Sequence, residues 1–209
     1  MRLHHALVLA FLFAATAVQA AGENASEDGA KFSGSVTGFY YAMRDQSDFG
    51  VGVASLNRGA LHLEGRYNYE ARDAGSLFVG WNIAGGDEVT FQVTPIIGGL
   101  FGAAHGVIPG LEAAVAYRSV DAYIEAEYVA DPRNSSDSYH YVWSELGWKP
   151  AEWLRLGLVG QRTRVVHTDR DLQRGLFAQL LLGQTTLSVY YFNPDSGSRY
   201  AIGALGAQF

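Results

Sequence analysis

Charged side chains recur at every second position in several segments of this chain. Residues 60–71 carry His62, Glu64, Arg66 and Glu70 on one parity. Glu125 and Glu127 repeat the spacing, and Glu112, Arg118, Glu145 and Arg155 sit at equivalent positions in their own alternating segments. Brought to one enclosed space, these ten would set six Glu against three Arg and one His. A wet passage lined in this way favours cations, because carboxylates at close quarters replace part of an ion's hydration. The alternative is a closed polar core, in which the charges must pair because an unpaired buried ion is very costly.

Other residue sets point to weaker chemistry. Arg162, Arg164, Arg170 and Arg174 cluster in one region, and guanidinium forks suit lipopolysaccharide phosphates. A solvated rim with snorkelling stems would have the same composition. His105, His140 and His167 stand near Ser138, Ser144 and Asp169. A nucleophile needs a base within hydrogen-bond reach, and this spacing does not supply one, so no catalytic residue is expected. The histidines also lack metal-ligand spacing. The glycine-rich stretch 98–110 has no GKS or GKT order, so no phosphate loop is expected. No cofactor is expected.

These side chains must be positioned by strands. In residues 60–71, Leu61, Leu63, Gly65, Tyr67 and Tyr69 alternate with His62, Glu64, Arg66, Asn68 and Glu70. Residues 75–84 set Leu77, Val79, Trp81 and Ile83 against Ser76, Phe78, Gly80 and Asn82. Residues 121–130 set Ala122, Ile124, Ala126 and Tyr128 against Tyr123, Glu125, Glu127 and Val129. Period-two alternation means strands with one apolar and one polar face. The pattern predicts 12 strands, at 32–43, 49–56, 60–71, 75–84, 88–98, 110–118, 121–130, 139–148, 153–166, 172–182, 185–192 and 198–209. Segment 49–56 is the weakest, and losing it with a neighbour would leave 10.

The start of the chain reads as an export signal. Arg2 precedes an apolar run from Ala6 to Val18, and Val18-Gln19-Ala20 offers small residues to a signal peptidase. Residues 1–20 are therefore expected to be cleaved, residues 21–31 to form a flexible lead-in, and residues 32–209 to form one domain. The expected mature chain has 14 Lys+Arg (15 minus Arg2) against 21 Asp+Glu, a net charge of −7. That balance argues against nucleic acid, whose binding rests on neutralising phosphates. There is no Cys, so disulfides and thiolate metal sites are excluded.

A soluble sandwich turns its apolar face inward, whereas a membrane barrel turns it to lipid. Large charged residues on successive polar faces favour the barrel. So do Trp148 and Trp153, which flank a tight turn where an interfacial aromatic girdle would sit. The chain also ends in a strand whose last residue is Phe209, preceded at alternate positions by Ala207, Leu205, Gly203 and Ala201. This ending resembles the assembly signal of bacterial outer-membrane β-barrels, a porin-like class. Ala207 departs from the pattern, since an aromatic is common there. The resemblance implies the outer membrane, an even strand number, and lipid, lipopolysaccharide and the barrel-assembly machinery as partners. It leaves the oligomeric state open.

With both chain ends periplasmic, the outer loops are expected at 44–48, 72–74, 99–109, 131–138, 167–171 and 193–197, and the short inner turns at 57–59, 84–87, 119–120, 149–152 and 183–184. Loop 99–109 could fold inward and narrow the passage. The expected function is a narrow passive channel for small polar solutes or ions. The alternatives are a closed scaffolding barrel and a lipid-modifying enzyme at the outer rim.

Overall fold

The computed structural model describes residues 31–44, 46–165 and 171–209. The expected signal peptide, all of the lead-in except Lys31, and Arg170, His167 and Asp169 lie outside the described residues. The strands are β1 (Phe32–Met43), β2 (Phe49–Arg58), β3 (Leu61–Tyr67), β4 (Ala74–Trp81), β5 (Ile83–Gly85), β6 (Val89–Gly102), β7 (Gly106–Tyr117), β8 (Val120–Val129), β9 (Tyr139–Ala151), β10 (Leu154–Val165), β11 (Asp171–Leu182), β12 (Thr185–Phe192) and β13 (Tyr200–Gln208). Each is antiparallel to its neighbours. The ladder runs from β4 through β3, β2, β1 and β13 back down to β6, and the β4–β6 pairing closes it into a barrel.

Thirteen segments make twelve staves, because β4 and β5 are one strand. Gly80 pairs with Ile96 and Ile83 with Val93, so the register continues unchanged across the break. Pro95 lies opposite the interruption and has no N–H to give the ladder.

The two faces are inverted relative to a soluble protein. Leu61, Leu63, Leu77, Val79, Trp81, Ile83, Ile124, Leu158 and Leu205 are exposed on the outside, while Glu64, Arg66, Glu125, Glu145 and Arg155 are buried within. A band of exposed apolar side chains around a closed barrel is the surface that hydrocarbon requires. The wall therefore reads as membrane-spanning. Trp81, Trp148 and Trp153 stand exposed at the end that carries the short turns, as an interfacial girdle requires.

The seam closes through both ends of the barrel chain. β1 pairs with β13 from Ser35↔Gln208 to Met43↔Tyr200, and Gly34 and Phe209 exchange two backbone hydrogen bonds of 2.8 and 3.0 Å. The short connections at this end include Gly59 (φ 56°) and Gly183 (φ 64°), whose left-handed backbone suits tight hairpins.

Three sequence expectations need correction. The stretch 99–109 is not a loop: β6 runs to Gly102 and β7 starts at Gly106, so the connection is residues 103–105 and no inward plug arises from it. Its glycines and prolines suggested a break, but paired neighbours on both sides carry the ladder through. The strand predicted at 60–71 ends at Tyr67, because Asn68 adopts φ 57°. Asn68 holds this turn by accepting from the Asp73 amide and donating to the Gly50 carbonyl. The kink overturns the face expected for Tyr69, which is buried beside Glu70 rather than turned outward. Finally, Arg118 does not line the interior. It lies in the β7–β8 turn at φ 54°, exposed, with its guanidinium over the Tyr117 ring at 4.9 Å. Alternation fails there because a two-residue hairpin breaks the pleat.

Candidate functional site

The barrel wall collects charge inside because alternation leaves no other place for it. Among the described residues, seven buried carboxylates (Glu64, Glu70, Glu112, Asp121, Glu125, Glu127 and Glu145) face two buried arginines and His62. They separate into two groups, each centred on one guanidinium.

Arg66 on β3 is the first centre. Its Nε donates to Glu64. Its Nη1 donates to Glu127 at 2.8 Å and to Glu70 and Glu125 at 3.3 Å each. Its Nη2 lies 3.6 Å from Glu112. The guanidinium lies over the rings of Tyr69 and Phe78 at 4.0 and 4.3 Å, an arrangement the quadrupole of each ring favours. Tyr69 also donates its hydroxyl to Glu125. Glu70 accepts from Ser76 at 2.8 Å. Five carboxylates thus surround one permanent cation.

Arg155 on β10 is the second centre. Its Nε donates to Asp121 at 3.0 Å, and its Nη1 donates to Glu145 at 2.7 Å and Gln179 at 2.8 Å. Phe177 lies beneath it at 4.6 Å. Gly147 makes room, since a Cβ there would sit 2.4 Å from Arg155 Nε. Charge is closer to balance here, with two acids on one base.

Between the groups and the loop end the interior is aromatic. Tyr41 stacks on Phe49 (4.5 Å), Phe192 on Tyr200 (4.9 Å), and Trp143 packs against Phe192 (5.5 Å) and Tyr190 (6.0 Å). Tyr41, Trp143, Tyr190 and Phe192 are fully buried. The interior is therefore part polar and part ring-packed. Above this layer a cavity of about 440 Å³ opens at the loop end, lined by Arg44, Gln161, Gln173, Arg174, Arg199 and Tyr200 among others.

Of the ten interior residues expected from sequence, His62, Glu64, Arg66, Glu70, Glu112, Glu125 and Glu127 come together around Arg66, and Glu145 and Arg155 around Arg155. Arg118 does not join them. Asp121 and Gln179 were missed, although both share the inward parity of their strands. Asp121 sits next to a turn, where a carboxylate reads as solvated. Arg162 and Arg164 point outward from the loop end of β10. Arg174 is also exposed and pairs with Asp195, whose carboxyl this hydrogen bond holds below its ordinary value. His105 contacts Arg133, His140 packs against Tyr128, and Ser144 donates to the Gly160 carbonyl. Among the described residues weighed for rim catalysis, His105, His140 and Ser144 each have a partner outside that set.

No family model and no curated protein matches the chain. Solved structures match its fold. They include the KdgM porin in complex with disordered oligogalacturonate (TM-score 0.63, 8% identity), a second structure of the KdgM porin (TM-score 0.60, 11% identity) and the NanC porin (TM-score 0.55, 13% identity). Each alignment covers 84% of this chain and 98% of the other. The fold is a porin-like transmembrane β-barrel.

Proposed function

We propose that this protein is a bacterial outer-membrane channel, constricted at mid-barrel, that passes small polar solutes or ions and prefers cations. The observation that carries the reading is the imbalance around Arg66. A core built only to be filled would pair its charges, because each unpaired buried ion is costly. Five carboxylates around one guanidinium leave an excess that mobile cations can meet. The likeness to porins supports the location and the class. The oligogalacturonate of the KdgM complex does not transfer by the same logic. It carries a carboxylate on each sugar, and the excess of Glu in this interior repels such a chain.

The lining residues proposed are Glu64, Arg66, Glu70, Glu112, Glu125, Glu127, Glu145 and Arg155, with His62 on the turn side. Arg162, Arg164 and Arg174 at the loop end supply cations that lipopolysaccharide phosphates could engage, with Arg174 already held by Asp195. The protein acts without catalysis in this reading. The export signal and the assembly role of Phe209 belong to the same proposal.

A second reading, a closed scaffolding barrel, is favoured by the burial of Trp143, Tyr41, Phe192 and Arg155 across the section. Single-channel conductance in planar bilayers separates the two. Discrete cation-preferring openings are expected, with the preference reduced in Glu125→Gln/Glu127→Gln. Conductance equal to that of the bare bilayer removes the channel.

A further inference from the structure

Three buried acceptor atoms converge near the turn-side end of the Arg66 group. They are Nε2 of His62 and Oε2 of Glu64, both from β3, and Oε1 of Glu112 from β7. One ligand atom from each of the three residues lies within 4.8 Å of those of the other two. The residues are 6%, 4% and 9% exposed, and none of the three atoms has a hydrogen-bond partner. β4 and β6 separate β3 from β7 along the wall, so only barrel curvature brings these residues together.

Hydrogen bonding sets the histidine tautomer. Asn82 Oδ1 accepts from Thr94 Oγ1 at 2.8 Å and from Gln92 at 3.2 Å, which leaves the Asn82 amide nitrogen to donate to Asn57 Oδ1 at 2.9 Å. Asn57 thus presents an oxygen to His62 Nδ1, 2.8 Å away. With that oxygen as acceptor, Nδ1 carries the proton and Nε2 presents its lone pair to Glu64 Oε2 at 3.8 Å. No hydrogen bond bridges the two atoms. Arg66 does not resolve this. Its Nε and Nη1 are engaged by four other contacts, and its Nη2 stays 3.6 Å from Glu112.

We infer that His62, Glu64 and Glu112 bind a divalent transition-metal ion, of which Zn²⁺ is the representative. One imidazole and two carboxylates are a first-row metal donor set, and the imidazole disfavours Ca²⁺ and Mg²⁺. Zinc bonds of about 2.0–2.2 Å require the three atoms to draw in by about an ångström or less. Asn57 plays the orienting part that ligating histidines usually receive from an outer partner. A divalent ion also offsets part of the carboxylate excess around Arg66. A fourth coordination position is left for water or a passing solute.

The test uses the full-length folded barrel in detergent, refolded with Zn²⁺ or Co²⁺, desalted, and assayed for metal by mass spectrometry. One ion per chain is expected, and bound Co²⁺ should show the visible bands of low-coordinate nitrogen–oxygen ligation. Glu112→Gln, which keeps size and shape, and His62→Ala should lose the ion. Asn57→Ala should bind about 10- to 100-fold more weakly. Glu152→Gln, in an exposed turn, should bind normally. Heat-modifiable gel migration confirms that each variant is folded. Background metal in the wild type, absent Co²⁺ bands, or unchanged binding in folded Glu112→Gln overturns the site. Stoichiometry is read without conduction, so a barrel that binds one ion but passes no current would sink the channel and leave the metal site standing.

Discussion

Arg66 on β3 donates to Glu127 on β8 at 2.8 Å, although β4, β6 and β7 stand between those strands along the wall. The bond is a strap across the barrel rather than a pairing within its sheet. A twelve-strand barrel is wider than the eight-strand kind that side chains just fill, so long charged side chains and rings must reach inward to meet.

The strap predicts a large penalty for losing one partner. Arg66→Met leaves Glu125 and Glu127 buried without their cation, which costs about 3–5 kcal/mol. Adding Glu125→Gln and Glu127→Gln should recover much of that. Urea unfolding of the barrel in lipid vesicles checks both. A single variant as stable as wild type would mean the cluster is already solvated.

Gly147 tests how tightly the second group is packed. A Cβ at this position meets Arg155 Nε at 2.4 Å, whereas Gly52 has open space around its Cβ. Gly147→Ala should destabilise by about 1–3 kcal/mol, as overpacking does, and Gly52→Ala should change little. The same unfolding assay compares them.

The loop end offers a pH prediction. Asp195 accepts from Arg174, so its carboxyl lies below the ordinary value of 3.8 in the folded protein. A lowered value means the contact is complete above the unfolded carboxylate range and is lost only as pH falls through the folded value. Arg174→Ala should move the titration of Asp195 upward toward 3.8, read by carboxyl-carbon NMR. Both side chains are exposed, so little effect on stability is expected.

Closure of the seam should depend on the last residue. Phe209 exchanges both backbone bonds with Gly34, and a Cβ on Gly34 would collide with the Phe209 ring at 2.8 Å. Deleting Phe209, or Gly34→Val, should reduce the heat-modifiable folded fraction in outer-membrane extracts. If Phe209 also carries the assembly signal, its deletion should have the larger effect in cells than in refolding from urea. Equal effects in both settings would confine Phe209 to the seam.

The staves and their faces are written in the order of residues along each segment. Alternation in segments such as 61–67 and 120–129 is local, because the side chain flips with every residue. The inward Glu64, Arg66, Glu125 and Glu127 were legible for that reason, while the even strand number came from the resemblance carried by Phe209. Where the pleat breaks, at Asn68 and Arg118, parity misplaced Tyr69 and Arg118, since a positive φ leaves no periodic trace. Which interior residues meet follows from the closed barrel instead. Arg66 with Glu127, His62 with Glu112 and Arg155 with Asp121 come from strands that are not neighbours in the sheet, and their contact depends on how far the closed wall curves. Curvature belongs to the whole ring of twelve staves, so no single segment encodes it.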